Sequence, residues 1–275
     1  MKPAPFDYLR PDSVEEALAA LAESGEEARL LAGGQSLMAM LNMRLVQPAL
    51  LIDIARLAVL DQVRLETDAL VIGAAVTQAA LERRADLAEE VPLLALALPW
   101  VGHFQTRSRG TICGSLAHAD PSAELPLVLL ALGGEVMLRS ARSRRRLPAA
   151  SFFTGMLTTA RRGDEMIEAA RFPCCRAGTG YAFREMALRH GDFALCAVAA
   201  VASASGLRLA VGGVADAPQA RDWPLLEGSA LDDALNDFAW ELGGSDDAHA
   251  SARYRRSLVR KLGRAALEEA LCRRG

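Results

Sequence analysis

The chain has 275 residues, of which 51% are hydrophobic and 24% charged, so it can bury a large core in one or two domains. A net charge of −3 and only 5% aromatic residues argue against a nucleic-acid-binding surface. Lysine occurs only at residues 2 and 261, which excludes a Gly-Lys-Ser/Thr phosphate loop and leaves almost no candidate for a Schiff-base lysine.

The five cysteines are odd in number and include no Cys-x-x-Cys pair. This pattern argues against a zinc or iron–sulfur site wholly within the chain and favours reduced thiols. The first residues lack the apolar stretch of a signal peptide, and the longest strongly apolar run, residues 91–101, is too short to span a bilayer. We therefore expect a soluble, cytoplasmic protein without a transmembrane segment.

The first half of the chain alternates predicted helices and strands. Ser13 and Glu16 have capping-box spacing before the apolar stripe of an amphipathic helix, which Gly25 follows. Strands are predicted over residues 29–32, 50–54 and 69–75, and a helix capped by Thr77 over residues 78–84. Such alternation predicts an α/β arrangement.

A polar, glycine-bearing segment at residues 107–115 interrupts the apolar blocks of the middle region, and a helix over 125–132 and a strand over 135–138 are predicted after it. Five arginines come next. They fit either a solvated turn between strands or a docking patch for an acidic partner. The five residues are Arg139, Arg142, Arg144, Arg145 and Arg146.

The pattern changes after about residue 173. Apolar runs at residues 195–203 and 207–214 flank Ala-Ser-Gly, which predicts a β-hairpin, and two helices are predicted over 231–242 and 251–271. A hairpin followed by helices is an α+β arrangement, so we expect a domain boundary near residue 175.

Two short glycine-bearing segments lie about eighty residues apart. Residues 32–36 read Ala-Gly-Gly-Gln-Ser and residues 111–115 read Thr-Ile-Cys-Gly-Ser, each with glycine beside hydroxyl residues. Such segments can expose successive backbone N–H groups in a concavity that suits a phosphate, and two of them could grip a pyrophosphate from both sides. Taken alone, each is equally compatible with a tight turn, and no G-x-G-x-x-G dinucleotide motif occurs.

Taken with their flanks, these segments resemble one family closely. The ordered stretches at residues 31–54, 107–126, 152–165 and 189–194 are similar to the FAD-binding medium subunit of molybdenum hydroxylases. That group contains aerobic carbon monoxide dehydrogenase and bacterial relatives of xanthine dehydrogenase. The resemblance covers nearly the whole chain.

The resemblance implies an α+β fold in two parts. Residues 1–175 would form an FAD-binding domain of the vanillyl-alcohol-oxidase/PCMH type, with two α/β subdomains split near residue 57. Residues 176–275 would form a small C-terminal domain of antiparallel sheet and helices.

The resemblance also implies which residues contact FAD. It implies no catalytic acid or base and no metal ligand in this chain. The two glycine segments would clasp the pyrophosphate, Asp120 and Glu124 would lie near the ribityl chain, and Phe193 would shield the isoalloxazine. Helix-terminal carboxylates and plain core packing are the alternatives for these acids and for Phe193. The full implied set is Ala32, Gly33, Gly34, Gln35, Ser36, Leu37, Thr111, Cys113, Gly114, Ser115, His118, Asp120, Glu124, Ile167, Arg184 and Phe193.

Three residues depart from the family's commonest pattern: Gln35, Ser108 and Cys113. Glutamine still donates and accepts hydrogen bonds. Cys113 replaces a usual glycine, so it tests whether that position requires a positive φ. The two histidines nearest the motifs, His118 and His190, could be bases but fit a structural role better.

As a member of this family, the chain would take electrons from two [2Fe–2S] clusters on a small partner subunit and pass them from FAD to an external acceptor. Substrate would be hydroxylated at a molybdopterin cofactor on a large subunit, in a dimer of heterotrimers. A stand-alone flavoprotein oxidoreductase and a scaffold subunit without FAD are the alternatives.

Overall fold

Helices and strands alternate up to residue 53 in the computed structural model, which describes residues 2–274, and then occur mostly in runs of one kind. The strands are β1 (Asp7–Leu9), β2 (Ala28–Leu31), β3 (Leu50–Asp53), β4 (Val63–Leu65), β5 (Ala69–Gly73), β6 (Glu135–Arg139), β7 (Arg144–Pro148), β8 (Phe153–Gly155), β9 (Thr158–Thr159), β10 (Met166–Pro173), β11 (Gly180–Met186), β12 (Cys196–Ser203), β13 (Gly206–Gly212) and β14 (Gln219–Trp223). The α-helices are α1 (Val14–Ser24), α2 (Leu37–Asn42), α3 (Gln78–Glu82), α4 (Leu87–Glu90), α5 (Pro92–Ala97), α6 (Phe104–Arg107), α7 (Ile112–His118), α8 (Glu124–Ala131), α9 (Ala149–Phe152), α10 (Gly228–Glu241) and α11 (Ala252–Cys272).

The first sheet is parallel, with strand order β1-β3-β2. Helix α1 packs on it through the apolar face that the sequence predicts, and the Ser13 hydroxyl accepts a hydrogen bond from the Glu16 N–H at 3.1 Å. Gly25 ends the helix with a φ of 53°, where glycine avoids the Cβ clash of other residues. These predictions are confirmed.

The second sheet has the order β4-β5-β10-β6-β7, and all its pairs are antiparallel. The strand and helix alternation of the first half thus includes a parallel sheet and part of an antiparallel one. Helices α3 to α8 lie between β5 and β6 in the chain, and α8 is buried along its whole length. Because α8 is apolar on every side, it forms the centre of the larger hydrophobic core.

The third sheet is antiparallel, with order β11-β12-β13-β14, and the predicted hairpin over β12 and β13 is confirmed. Helices α10 and α11, also predicted, cover one face of this sheet and enclose a second hydrophobic core. The opposite face packs on α8. Together the four sheets confirm a mixed α+β fold.

The arginine cluster lies on the hairpin of β6 and β7, which confirms the prediction of a turn between strands. Arg139 pairs with Glu15 and Glu168, and Arg145 pairs with the buried Glu165. Much of the cluster's charge is therefore neutralised within the chain. Among residues 2–274, no helix has the length and apolar character needed to cross a bilayer.

Candidate functional site

The first glycine segment is an open loop between β2 and α2. Gly34 has a φ of 73°, so this turn requires the left-handed backbone that glycine adopts at little cost. Within the described part of the chain, the backbone N–H groups of residues 33–37 donate to no other protein group. The Gln35 side-chain amide instead donates to the Gly33 carbonyl at 3.2 Å. The loop therefore presents a row of unpaired donors, which suits an anion.

A cleft of about 430 Å³ lies directly over this loop, a size within the usual range of small-molecule sites. Its walls include several residues absent from the predicted set, and Asp53 is the most informative of them. The Asp53 carboxylate accepts hydrogen bonds from the Ala55 N–H at 2.9 Å and from the Tyr8 hydroxyl. The lining residues are Leu31, Ala32, Gly33, Gly34, Gln35, Met38, Asp53, Ala55 and Arg109.

Gly33 of the first segment lies against the backbone just ahead of the second segment. A methyl group at this position would lie 2.1 Å from the Arg109 carbonyl oxygen and 2.8 Å from the Gly110 Cα. Only glycine permits so close an approach of two backbones. The contact brings the residues just ahead of the second segment to the wall of the cleft beside the first segment.

The second segment is a capped helix start. The Thr111 hydroxyl accepts a hydrogen bond from the Gly114 N–H at 2.9 Å, and the Ile112 N–H donates to the Val76 carbonyl at 3.2 Å. Residues 111–115 thus form a helix start in which the Ile112 and Gly114 N–H groups are paired, unlike the open loop of residues 33–37. Threonine at an N-cap followed by a helix explains the local structure.

Cys113 points into the protein core and is 2% exposed. Its Sγ lies 3.5 Å from the Ile72 carbonyl oxygen, and burial raises the pKa of the thiol to about 12. Its backbone lies within α7 and has no positive φ, so a side chain is tolerated where the family commonly has glycine. Such a thiol stays protonated and unreactive at neutral pH.

Arg107 fixes the stretch that leads into the second segment. Its guanidinium pairs with the Glu82 carboxylate at 2.9 Å and donates to the Val101 and Gly102 carbonyls. The Ser108 hydroxyl donates to the Phe104 carbonyl at 2.7 Å, which caps the turn that precedes Arg109. These bonds hold the Arg109–Gly110 backbone against Gly33.

The acidic residues Asp120 and Glu124 follow α7. The Asp120 carboxylate accepts from the Ser122 N–H at 2.8 Å, and Glu124 is the first residue of α8. Glu124 thus has the helix-terminal position that the sequence allowed as an alternative. It is 6% exposed, and burial raises the pKa of its carboxyl group to about 7.

Phe193 lies on the loop between β11 and β12 and is 65% exposed, which rules out the alternative that it packs in the core. The Leu195 N–H donates to the Met186 carbonyl at 2.8 Å and closes this loop. Gly191 touches His103, and His190 lies edge-on against Trp100 with ring centroids 5.3 Å apart. The Phe193 ring is therefore free to cover a ligand.

Of the sixteen predicted residues, four line the cleft: Ala32, Gly33, Gly34 and Gln35. Three of the other twelve have structural roles of their own. Arg184 pairs with Glu269 of α11 at 2.8 Å, and its strand neighbour Glu185 points to the opposite face of the sheet. Ile167 is buried in β10 within the larger core. His118 lies in the last turn of α7, ahead of Ala119 with its left-handed φ of 52°.

The comparisons with known proteins agree with one another. Residues 4–175 match the family described as the FAD binding domain in molybdopterin dehydrogenase. Caffeine dehydrogenase subunit beta of Pseudomonas sp. (strain CBB1) is 41% identical over 76% of this chain and 71% of its own length. The 6-hydroxypseudooxynicotine dehydrogenase complex subunit alpha of Paenarthrobacter nicotinovorans is 37% identical over 99% of this chain and 97% of its own length.

A structure of carbon monoxide dehydrogenase from Hydrogenophaga pseudoflava matches with a TM-score of 0.94 and 32% identity, covering 99% of both chains. Fold, glycine segments and matches together define an FAD-binding oxidoreductase subunit. The chain belongs to the family of FAD-binding medium subunits of molybdenum hydroxylases.

Proposed function

We propose that this chain takes electrons from the [2Fe–2S] clusters of a small partner subunit and passes them through FAD to an external acceptor. The observation that carries the proposal is the contact of Gly33 with Arg109, which places the backbone just ahead of the second glycine segment beside the first segment and its cleft. The isoalloxazine of FAD supplies the redox chemistry, and the protein binds and orients it.

The residues fit the cofactor. The unpaired N–H groups of residues 33–37 are donors for the pyrophosphate, and the Arg109 guanidinium adds positive charge to the same cleft. The Asp53 carboxylate is an acceptor suited to a hydroxyl group. Helix α7 and its cap, which follow Arg109 directly in the chain, contain Thr111, Cys113, Gly114, Ser115 and His118. Asp120, Glu124 and Phe193 would then lie toward the ribityl and flavin end, whereas Ile167 packs in the larger core and Arg184 pairs with Glu269.

The division of the chain and its assembly belong to the same proposal. Residues 1–175 form the FAD-binding domain, split near residue 57, and residues 176–275 form the C-terminal domain. A large molybdopterin-binding subunit hydroxylates the substrate, and the heterotrimer dimerises in the cytoplasm. The names of the relatives, which are subunits or medium chains of dehydrogenases, support this arrangement.

Metal and flavin analysis of the purified complex tests the proposal. The tagged chain is isolated from its source together with its bound partners, and FAD, molybdenum and iron are quantified. We expect one FAD per chain, accompanied by molybdenum and iron. Molybdenum and iron without FAD would indicate a scaffold subunit, and FAD with turnover in the absence of both metals would indicate a stand-alone flavoprotein. Either result contradicts the proposal.

A further inference from the structure

Arg255 is a buried cation in the first turn of α11. Its side chain is 5% exposed, and the helix begins three residues earlier, at Ala252. The positive end of the helix dipole disfavours a cation at this position. Burial of a guanidinium also costs free energy unless its N–H groups find acceptors. The contacts of Arg255 must therefore offset both effects.

The guanidinium of Arg255 bonds two backbone carbonyls and one carboxylate, each from a different segment of the chain. One terminal nitrogen donates to the Leu195 and Gly213 carbonyls, at 2.7 Å in each case. The other pairs with the Asp247 carboxylate at 2.5 Å. The second oxygen of Asp247 accepts two backbone N–H bonds from its own loop, so this acceptor is itself fixed. One side chain thus joins three segments.

The two carbonyls lie where the pairing of β12 with β13 ends. Leu195 immediately precedes β12, and Gly213 immediately follows β13 with a φ of 79°. A methyl group on Gly213 would lie 2.8 Å from the Ala194 carbonyl oxygen, so the two backbones are in contact. Arg255 holds them side by side beyond the last strand residues.

The Leu195 carbonyl belongs to the Phe193 loop, which comprises residues 187–195. The Leu195 N–H donates to the Met186 carbonyl at 2.8 Å, so the two ends of the loop meet there. Arg255 binds the same residue from the carbonyl side. The C-terminal end of the Phe193 loop is therefore fixed by both backbone groups of Leu195.

On the other side, Gly213 leads to the turn of residues 119–122. The Gly213 N–H donates to the Pro121 carbonyl at 2.8 Å. Within the same turn, the Asp120 carboxylate accepts from the Ser122 N–H at 2.8 Å. A continuous series of hydrogen bonds thus runs from the Phe193 loop through Arg255 and Gly213 to the turn ahead of α8.

Stability alone does not require an arginine at residue 255. The surrounding core of α10, α11 and the third sheet is apolar, and apolar side chains of similar volume often stabilise such a place as well as a buried ion pair does. A guanidinium differs because its N–H groups lie in one rigid plane and can hold several acceptors in a fixed arrangement. The chemistry of this side chain is suited to setting positions.

We propose that Arg255 is a positioning residue that holds the Phe193 loop and the turn of residues 119–122 in one fixed arrangement. The positioning follows from contacts within the chain and requires no bound flavin. Its consequence for the cofactor rests on the proposed function, because Phe193 and Asp120 are among the proposed FAD contacts.

Hydrogen–deuterium exchange of the purified complex tests the positioning directly. In Arg255→Met we expect peptides of the Phe193 loop to exchange about tenfold faster, since charge-assisted hydrogen bonds to Leu195 are lost. Peptides of the parallel sheet should exchange as in the unsubstituted protein. Arg264→Met is the matched control, because Arg264 lies on the same helix and pairs with Asp232 and Glu268 instead. Arg255→Lys retains the charge but not the planar set of donors. It should show a smaller acceleration, and it serves if the methionine variant does not fold.

Two results of the exchange experiment would overturn the proposal. The first is unchanged exchange of the Phe193 loop in folded Arg255 variants. The second is an equal acceleration in all three large sheets, which would show that Arg255 only stabilises the fold.

A double-mutant cycle tests the consequence for the cofactor. Iodide quenching of flavin fluorescence is measured in the FAD-loaded complex for Arg255→Met, Phe193→Ala and the double variant. We expect Arg255→Met to increase the quenching, and we expect this increase to disappear when Phe193 is already alanine, because both changes act through the same ring. Additive increases would contradict an action of Arg255 through the Phe193 loop.

Failure of the proposed function would be recognised separately. If the unsubstituted complex binds no FAD, or if Phe193→Ala alone leaves the quenching unchanged, the assignment of the cofactor contacts is wrong. The exchange experiment still decides whether Arg255 holds the two segments, because it requires no flavin.

Discussion

Gly33 and Arg109 approach so closely that a methyl group on residue 33 would overlap the Arg109 carbonyl oxygen. The contact fixes the end of the parallel sheet against the stretch that leads into α7. Two segments separated by about eighty residues thereby become neighbours beside one cleft. The geometry of the candidate FAD site depends on this backbone contact more than on any single side chain.

The Thr111 cap should matter for both stability and FAD binding. Thr111→Ala removes the acceptor for the Gly114 N–H, and we expect it to lower the free energy of unfolding by about 1 kcal/mol. It should also raise the dissociation constant for FAD, because the start of α7 loses its anchor. Ser251→Ala, which removes the matching cap of α11, should cost similar stability and leave FAD affinity unchanged. Denaturant titration and fluorescence titration measure the two quantities, and equal FAD affinity in both variants would contradict the assignment.

Thiol reactivity should separate Cys113 from the surface cysteines. Burial raises the pKa of Cys113 to about 12, whereas Cys175 and Cys272 are exposed. Alkylation of the native protein at neutral pH, followed by mass spectrometry of its peptides, should therefore modify Cys175 and Cys272 and leave Cys113 intact. Rapid modification of Cys113, or a covalent flavin attached to it, is incompatible with the buried thiol.

Phe193 should influence the bound flavin and contribute little to stability. Because its ring is mostly exposed, Phe193→Ala should change the free energy of unfolding by no more than about 0.5 kcal/mol. Collisional quenching of flavin fluorescence by iodide should increase, since the ring no longer shields the cofactor. Leu188→Ala, an equally exposed position on the same loop, is the control. Identical quenching in the two variants would show that Phe193 does not cover the flavin.

The buried carboxyl groups should make stability depend on pH. The folded-state pKa of Glu185 is raised from 4.5 to about 8, so its neutral form stabilises the protein below about pH 4.5, and this contribution disappears as the pH rises through 8. Between pH 5 and pH 8 the free energy of unfolding should therefore fall, and Glu185→Gln should reduce the fall by roughly 1–3 kcal/mol. Urea titrations across this range measure it, with Glu227→Gln as the control. Parallel curves for all three proteins would argue against a raised pKa.

The sequence predicts local structure well where the signal is local. Ser13, Gly25 and Thr77 mark helix ends correctly, because a capping hydroxyl or a left-handed glycine acts within four residues. The hairpin of β12 and β13 follows in the same way from two apolar runs around a turn. The antiparallel pairing of β10 with β5 and β6 does not follow from the sequence, since strands roughly thirty and a hundred residues apart carry no local sign of their direction.

The site was predictable in part. Residues 32–35 of the predicted segment line the cleft. Asp53 and Arg109 line it too but are not among the predicted contacts. Asp53 could have been found, because it ends a strand parallel to β2 and so emerges at the same edge of the sheet. Glu185 carries no such sign: a glutamate within an apolar strand looks like a solvated residue until the packing of α8 on the third sheet is known.

The dissociation constant for FAD in Gly33→Ala tests the central claim most directly. Gly155→Ala is the matched control, because a methyl group there meets nothing within 4 Å. Measured by fluorescence titration on the apoprotein complex, FAD affinity should fall about tenfold or more in Gly33→Ala, equivalent to about 1.4 kcal/mol, and stay within about twofold in Gly155→Ala. Unchanged affinity in a folded Gly33→Ala protein would contradict an FAD site built on the contact of Gly33 with the Arg109–Gly110 backbone.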